Sequence, residues 1–439
     1  MSHIEAFLQQ NACHYPEHAA IVCGDRAITY ADLYEASVRE SQTMMDTGFR
    51  RGSLVPIRAV PTIEYLVCYF AIHMAGGVVV PLAKDLSDDE FAAYECRLRG
   101  VTVPDNTADI LFTTGTTGKS KGVIISHDAI IADADNLIQR LGFRHDVAFI
   151  VSGPLNHCGC WSKIFPCIMQ GSTIILTDGF RDVNDFFLAI DRQPSKVATF
   201  LVPSSIRILL QFGADRLADH ATNIDFLETG GAPLMQSEMA RLCDLLPASR
   251  LYNTYASTET GIVASYDYNT SERVYGCVGL PMKHSAIEIS SEGQIVCGGA
   301  TLMTGYLGDT DLTASILHDG RLTMSDRGHI DQEGRLHLLG RNDDTINTGA
   351  YKVEPTEVEE VAMQIPHIVD CLCIAMPHPI LGQALKLLYI TDDGQPLVKR
   401  DMALHIKSCL ETYKVPLGYE LVESIRTTFN GKKDRKSYR

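Results

Sequence analysis

Two hydrophobic periodicities alternate along the chain. The short apolar runs "VAFIVSGPL", "STIILT", "KVATFLVP" and "RLYNTY" read as buried strands, and stretches such as "VNDFFLAIDR", "SSIRILLQFG" and "APLMQSEMARLCDLLP" repeat apolar residues at helical spacing. Strands alternating with helices predict an α/β fold of mixed and parallel sheets layered with helices. The most apolar stretch, Tyr65 to Leu82, is broken by His73 and Gly76-Gly77 and preceded by Glu64. It predicts a core helix followed by the strand Val78-Val79-Val80, not a membrane span. Beyond Gly334 the pattern changes, with Gly340, Asn342, Asp343 and Asp344 crowded together. A domain boundary is expected there, giving a large region over 1–341 and a small α+β domain over 342–439. The small domain reads strand, helix (Pro355 to Gln364), strand (Val369 to Met376), strand (Leu385 to Thr391), helix (Lys399 to Tyr413), strand.

Size and charge narrow the picture. A chain of 439 residues with 45% hydrophobic and 21% charged residues is globular and long enough for two or three cores. A formal charge of -16 repels polyanions, so nucleic acid is not an expected partner and an anionic substrate needs a local cationic patch. Met1-Ser2-His3-Ile4-Glu5 lacks a signal peptide's charged start and apolar core, and the 13 cysteines form no CxxC framework; both predict reduced thiols in the cytoplasm. Cys158-x-Cys160 and Cys371-x-Cys373 are expected to alternate as strand or loop residues do and to pack in the core rather than bind metal.

The chemistry-bearing residues fall in separated motifs. "LFTTGTTGKSKGVIISH" contains Gly118-Lys119-Ser120, yet position 113 is Thr where a Walker A loop requires Gly, and a β-branched run follows where a helix should open. It predicts a hairpin whose tip holds phosphate through bare N–H groups, hydroxyls and lysines, or is only a turn. "YNTYASTETG" places Thr258 and Glu259 after a strand, where a carboxylate suits Mg2+ or caps a helix. "ETGGAPL" offers small residues against which a flat ring can lie. Asp326 in "LTMSDRGHID" could take both hydroxyls of a ribose, and Arg341 could fork onto sugar or phosphate oxygens; either could equally be a surface charge. Lys432, behind Asn430-Gly431, is a lysine on a tight turn or part of a solvated basic tail.

Taken in order, these segments resemble the adenylate-forming enzymes: acyl-CoA synthetases, firefly-type luciferases and peptide-synthetase adenylation domains. The resemblance runs from "AIVCGDRAITYADLYEAS" through "TTGTTGKSKG", "YNTYASTETG", "SDRG", "GRNDDTINTGAYKVEPTEVEE" and "YKVP" to "NGKKDR", nearly the whole chain. It implies an acid:thiol ligase that uses ATP and Mg2+ to form acyl-AMP from a small carboxylic acid, then acylates CoA or the phosphopantetheine of a discrete carrier protein. By the same resemblance Thr113, Thr114, Gly115, Thr116, Thr117, Gly118 and Lys121 hold the pyrophosphate part of ATP. Glu259 binds Mg2+, and Thr258 the α-phosphate. Gly231, Ala232 and Pro233 line the adenine with Asn253, Thr254 and Tyr255, while Asp326 and Arg341 hold the ribose. Lys432 bridges the acid and the α-phosphate, Asp343 is the hinge, and Gly349, Ala350, Tyr351 and Lys352 form the loop of the thiol step. His157 acts at the acid, in a pocket bordered by Cys158, Gly159, Cys160, Trp161 and Gly230.

Peptide-synthetase domains carry an aspartate for an α-amine in the segment matching "PLNHCGCWS"; here His157 stands in that neighbourhood and no acid follows. An amino acid is therefore not the expected substrate, and fatty or aryl acids are. The chain departs from the family's pattern at Ser120, Ala256, Met324-Ser325, Asn347 and Arg426, and it is short between Leu82 and Asp109. Those departures admit two rivals: a degenerate member that binds nucleotide or acyl ligand without turnover, and one that passes acyl-AMP to a non-thiol nucleophile.

Overall fold

A computed structural model describes residues 3–114, 120–180, 182–270, 272–274, 276–341, 344–349, 351–427 and 433–438, the side chains of Thr114, Arg341, Lys352 and Lys436 excepted. The chain divides into two compact units, one of residues 1–288 and 296–323, the other of 289–295 and 324–439.

Unit 1 is built on two sheets. In the larger, the strands Arg250–Ser257, Ile224–Gly230, Lys196–Phe200, Val147–Val151, Ile174–Leu176 and Ala19–Cys23 lie side by side and parallel. Parallel strands covered by helices are buried on both faces, so they read as continuous apolar runs, as "VAFIV" does. Antiparallel strands flank these six: Arg26–Thr29 beside Ala19–Cys23, and Gly261–Asp267 followed by Cys277–Pro281 beyond Arg250–Ser257. Helices Val183–Asp191, Pro203–Phe212 and Gln236–Leu245 cover it through Phe187, Leu209, Leu227, Met239 and Leu251.

The smaller sheet runs Gly305–Tyr306, Ser120–Ser126, Thr107–Thr114, Val78–Leu82, Leu54–Arg58. The expected core helix is Ile63–Met74, leading into Val78–Leu82 as the broken apolar stretch predicts. Between Leu82 and Thr107 lies one helix, Asp88–Leu98, begun by a capping box in which Ser87 and Glu90 satisfy each other's backbone N–H groups. Among the described residues no helix is long and apolar enough to cross a membrane.

Unit 2 carries its own sheet: Tyr351–Val353, Ile346–Thr348, Gly382–Thr391 and Ile368–His378 in antiparallel order, with Gly418–Leu421 parallel to Gly382–Thr391. Helices Pro355–Ala362 and Lys399–Cys409 pack on it around Val358, Cys371, Cys373, Leu387, Met402 and Ile406. Cys371 and Cys373 are buried core residues, as their alternation along a strand implies. Cys158 and Cys160 are also buried, but on a single helical turn, Cys158–Trp161.

Candidate functional site

The phosphate-loop candidate is a hairpin. Thr113 pairs with Lys121 and Thr114 with Ser120 across antiparallel strands, so no helix follows the tip and the Walker frame is absent. Gly115, Thr116, Thr117 and Gly118 lie outside the described residues. Lys121 points its ammonium over the Tyr306 ring, 5.2 Å from the centroid. Tyr306 sits on a short strand paired to the same hairpin, with its main chain opposite Val123.

The Tyr306 hydroxyl donates to Glu259 Oε1 at 2.8 Å. Burial first, and then the Glu259 charge, push the Tyr306 phenol upward, so it stays protonated and remains a donor. Glu259 rides on the turn that ends the strand Arg250–Ser257. Ser257 and Thr260 cross-bond there, each backbone N–H meeting the other's hydroxyl at 3.1 Å. Met303 N–H donates to the Glu259 carbonyl at 2.8 Å, so the main chain is held as well as the side chain. A bulge at Tyr255–Ala256 aims the turn, and Thr258 and Glu259 are both half-buried. With one carboxylate oxygen engaged by the Tyr306 hydroxyl, the Glu259 carboxylate has lone pairs left for a hard cation, and hard oxygen donors fit Mg2+.

Next to this turn lies a wall of small residues. Gly230 pairs with Thr254 in parallel register, and a Cβ on Gly230 would meet Thr254 Oγ1 at 2.8 Å. Gly231 has φ +82°, a left-handed conformation that glycine adopts freely, and it leads into Ala232 and Pro233. Asn253 Nδ2 donates to Cys277 O at 3.0 Å, and Tyr255 is buried. On the other side, His157 caps the turn Cys158–Trp161 by accepting from Gly159 N–H at 3.3 Å. The Cys158 thiol reaches the Ser257 carbonyl at 3.7 Å. The Phe200 ring lies between the two glycines: a Cβ on Gly159 would sit 2.8 Å from it and one on Gly230 3.7 Å.

Behind that ring is a feature absent from the sequence reading. Lys163 and Glu228 form an ion pair at 2.8 Å with side chains 1% and 0% exposed. Lys163 Nζ also lies 5.2 Å from the Phe200 centroid, and Thr254 Oγ1 donates to Glu228 Oε1 at 3.0 Å. Buried Asp133 accepts from Ile262 N–H at 2.7 Å, and burial pushes its carboxyl up to about 7. Burial likewise pushes the Cys160 thiol up to about 12, which removes it as a thiolate. Trp161 is buried, its indole N–H donating to Asp109 Oδ2 at 2.8 Å. No periodicity signals these partners, because each pair joins residues tens of positions apart; "ETGG" ahead of Ala232 was the nearest visible clue, since it places an acid inside an apolar strand.

Unit 2 holds the remaining candidates. Asp326 and Arg341 are directly opposite in an antiparallel pair, Arg321–Ile330 with Leu336–Arg341. Gly349 has φ +60°, and its N–H donates to Leu381 O at 3.0 Å. Tyr351 is 54% exposed and stacks on Tyr413 with centroids 4.2 Å apart. An open recess of about 440 Å³ is lined by Asp344, Asn347, Met376, Gln383 and Arg435. Asp343, Ala350 and Lys432 lie outside the described residues.

The family model described as "AMP-binding enzyme" matches residues 8–95 and 97–307, and that of the "AMP-binding enzyme C-terminal domain" matches 357–432. A feruloyl-CoA synthase of Amycolatopsis sp is 25% identical over 469 aligned positions, covering 95% of this chain and 94% of the relative. A 2-succinylbenzoate–CoA ligase of Staphylococcus aureus is 29% identical over 345 positions, covering 76% and 67%. Among solved structures, ATP-bound MatB from Rhodopseudomonas palustris superposes with TM-score 0.87 at 23% identity, covering 100% of this chain and 99% of that one. The o-succinylbenzoate CoA synthetase of Bacillus subtilis with its acyl-adenylate gives 0.85 at 21%, covering 99% and 97%. At such identity these two show the fold.

Proposed function

Because the chain belongs to the AMP-binding enzyme family and is thereby an AMP-forming acid:thiol ligase, we propose that it activates an aryl carboxylic acid with ATP and passes the acyl group to CoA. The observation that carries the proposal is the turn at Thr258–Glu259, its carboxylate fixed by Tyr306 beside the Lys121 hairpin. An acid attacking an anionic α-phosphate meets like-charge repulsion, so cationic groups must neutralise both partners and hold them in line. Lys121 and the hydroxyls of Thr113 and Thr114 take the phosphate oxygens, and Thr258 takes the α-phosphate. Glu259 would hold Mg2+, which supplies charge neutralisation when bound. Gly231, Ala232 and Pro233 leave room for the adenine against Asn253, Thr254 and Tyr255; Asp326 and Arg341 take the ribose.

Lys432 bridges the carboxylate and the α-phosphate. The carboxylate oxygen bonds to the α-phosphorus, pyrophosphate leaves, and acyl-AMP results. In the second step the CoA sulfur attacks the acyl carbon and AMP leaves. Rotation of the small domain about Asp343 withdraws Lys432 and presents Gly349, Ala350, Tyr351 and Lys352. An aromatic acid is favoured because the relatives named above carry feruloyl and succinylbenzoate in their names, and because Phe200 stands between Gly159 and Gly230 as a ring against which another ring can pack. His157, at the mouth of that wall, orients the acid.

The test is carboxylate-dependent exchange of labelled pyrophosphate into ATP across fatty, aryl and amino acids, followed by CoA thioester assay. Exchange with aryl acids alone supports the proposal, and absence of exchange with every acid refutes it. Lys432→Ala should lower exchange at least a hundredfold, about 3 kcal/mol, yet still capture CoA from supplied acyl-AMP. Loss of both steps or of neither contradicts its role.

A further inference from the structure

At the start of unit 1, on the helix Ile4–His14, polar side chains converge where the adenylating chemistry makes no use of them. His3 is the N-cap of that helix but makes no capping hydrogen bond, and Glu5 lies in its first turn. They face His127, which opens the helix His127–Leu141, and His73, near the end of Ile63–Met74. His3, Glu5 and His127 each offer one ligand atom, and these atoms all lie within 4.8 Å of one another. His3 Nδ1 is 3.3 Å from Glu5 Oε1, and His73 Nδ1 is 4.0 Å from Glu5 Oε2.

Three atoms at this place are sealed from solvent without a hydrogen-bond partner: Glu5 Oε2, His73 Nδ1 and His127 Nδ1. Each such atom, left bare, forfeits the hydrogen bonds it would make in water. His127 and His73 are 6% and 3% exposed, so water does not reach them from outside. Behind His73 stands a further feature of a built site. Its Nε2 meets Asp109 Oδ1 at 3.1 Å, which leaves Nδ1 turned toward Glu5 Oε2, 4.0 Å away. A carboxylate that holds one nitrogen of an imidazole while the other faces further donors is the arrangement that orients a metal-ligating histidine.

We propose that His3, Glu5 and His127, with His73 as fourth donor, bind a divalent transition ion, Zn2+ in the first place. Imidazole and carboxylate donors at tetrahedral count suit Zn2+ better than Mg2+ or Ca2+, which prefer oxygen alone. The His3 and His127 rings are stacked, 3.9 Å apart at 12°, so their lone pairs run side by side and one ring must turn to share an ion. His3 is the ring that turns: its side chain is 35% exposed and sits outside the helix. The ion ties the N-terminal helix to the two elements flanking Asp109.

Trp161 reports the event. It is the only tryptophan in the chain, and its indole donates to the same Asp109 carboxylate that holds His73. The full chain without an affinity tag, stripped of metal with chelator, is titrated with ZnCl2 by calorimetry and Trp161 emission. One equivalent should bind, change the emission and raise Tm. Glu5→Gln and His3→Ala should each weaken binding at least about tenfold, the scale on which even outer-shell changes act, while keeping the metal-free circular dichroism. Three results overturn the proposal: no stoichiometric binding, affinity in both variants unchanged from the unsubstituted chain, or a thiolate charge-transfer band with Co2+ that places the ion on exposed Cys13, Cys96 or Cys409.

Discussion

Lys163→Met should be among the most damaging single substitutions in unit 1. Lys163 and Glu228 meet at 2.8 Å with side chains 1% and 0% exposed, and Glu228 Oε2 has no partner at all. Removing the lysine leaves a buried carboxylate whose remaining partner is Thr254 Oγ1 at 3.0 Å. Breaking one side of such a pair costs about 3–5 kcal/mol, a large share of a typical domain's stability. Replacing both partners by apolar residues of similar volume is often neutral. Thr254 Oγ1 also donates to Thr229 O at 3.0 Å, so Glu228→Leu does not strand it. Lys163→Met/Glu228→Leu should therefore recover at least about 2 kcal/mol relative to Lys163→Met alone. Equilibrium urea unfolding followed by Trp161 emission reads this directly, since Trp161 is the sole tryptophan and lies on the adjacent helical turn. The reasoning fails if Lys163→Met costs less than about 1 kcal/mol, or if the double variant loses the sum of the two single losses.

Three further outcomes are expected. Asp133 is pushed up to about 7 by burial, against an ordinary value of 3.8; its folded form binds the extra proton, so its contribution to stability is present below about 4 and falls as pH rises through about 7. Asp133→Asn should flatten that part of the profile in pH-dependent Tm measurements, and parallel profiles for the two proteins would contradict it. Tyr306→Phe removes the donor to Glu259 Oε1 and should raise the Mg2+ concentration needed for half-maximal pyrophosphate exchange several-fold, on the order of 1 kcal/mol; an unchanged Mg2+ dependence would reject the link. Gly340→Ala places a Cβ 2.4 Å from Glu354 Oε2 at φ +138°, so it should destabilise unit 2 by about 1–3 kcal/mol in thermal denaturation, and no shift in its transition would refute the clash.

The parts of the fold set by short-range chemistry were legible in the chain. Continuous apolar runs identify the parallel strands because both faces are covered, and Thr at position 113 followed by "VIIS" excludes a Walker loop because those residues favour strand over helix. In unit 2 the predicted helices and strands match Pro355–Ala362, Ile368–His378, Gly382–Thr391 and Lys399–Cys409 within a few residues. Cys158-x-Cys160 misled, because alternation over three residues does not distinguish a strand from one turn of helix. Tyr306 is inconspicuous in the sequence for a different reason. Its hydrogen bond spans 47 positions to Glu259, and nothing in "MTGYLG" marks the tyrosine as facing a carboxylate. Lys163, Glu228 and Asp133 are equally silent, since a charge in the sequence is ordinarily read as a surface charge.

In the proposed site those silent residues should bear on specificity more than the visible motifs do. The width of the wall beside the Thr258–Glu259 turn is set by Gly159 and Gly230, and at both positions any added Cβ meets Phe200 or Thr254. Substitution there fills space but cannot reshape it. What can move is the Phe200 ring, and its position is held from behind by the Lys163 ammonium, 5.2 Å from the centroid, which Glu228 in turn fixes. Glu228 also anchors Thr254, one of the residues facing the adenine in the proposed site. A single buried pair thus supports the proposed acyl wall through Phe200 and the proposed nucleotide wall through Thr254. Shifts of substrate preference should accordingly arise at core positions 163 and 228 together with 200, whereas changes confined to the loop motifs should alter rate across all acids alike.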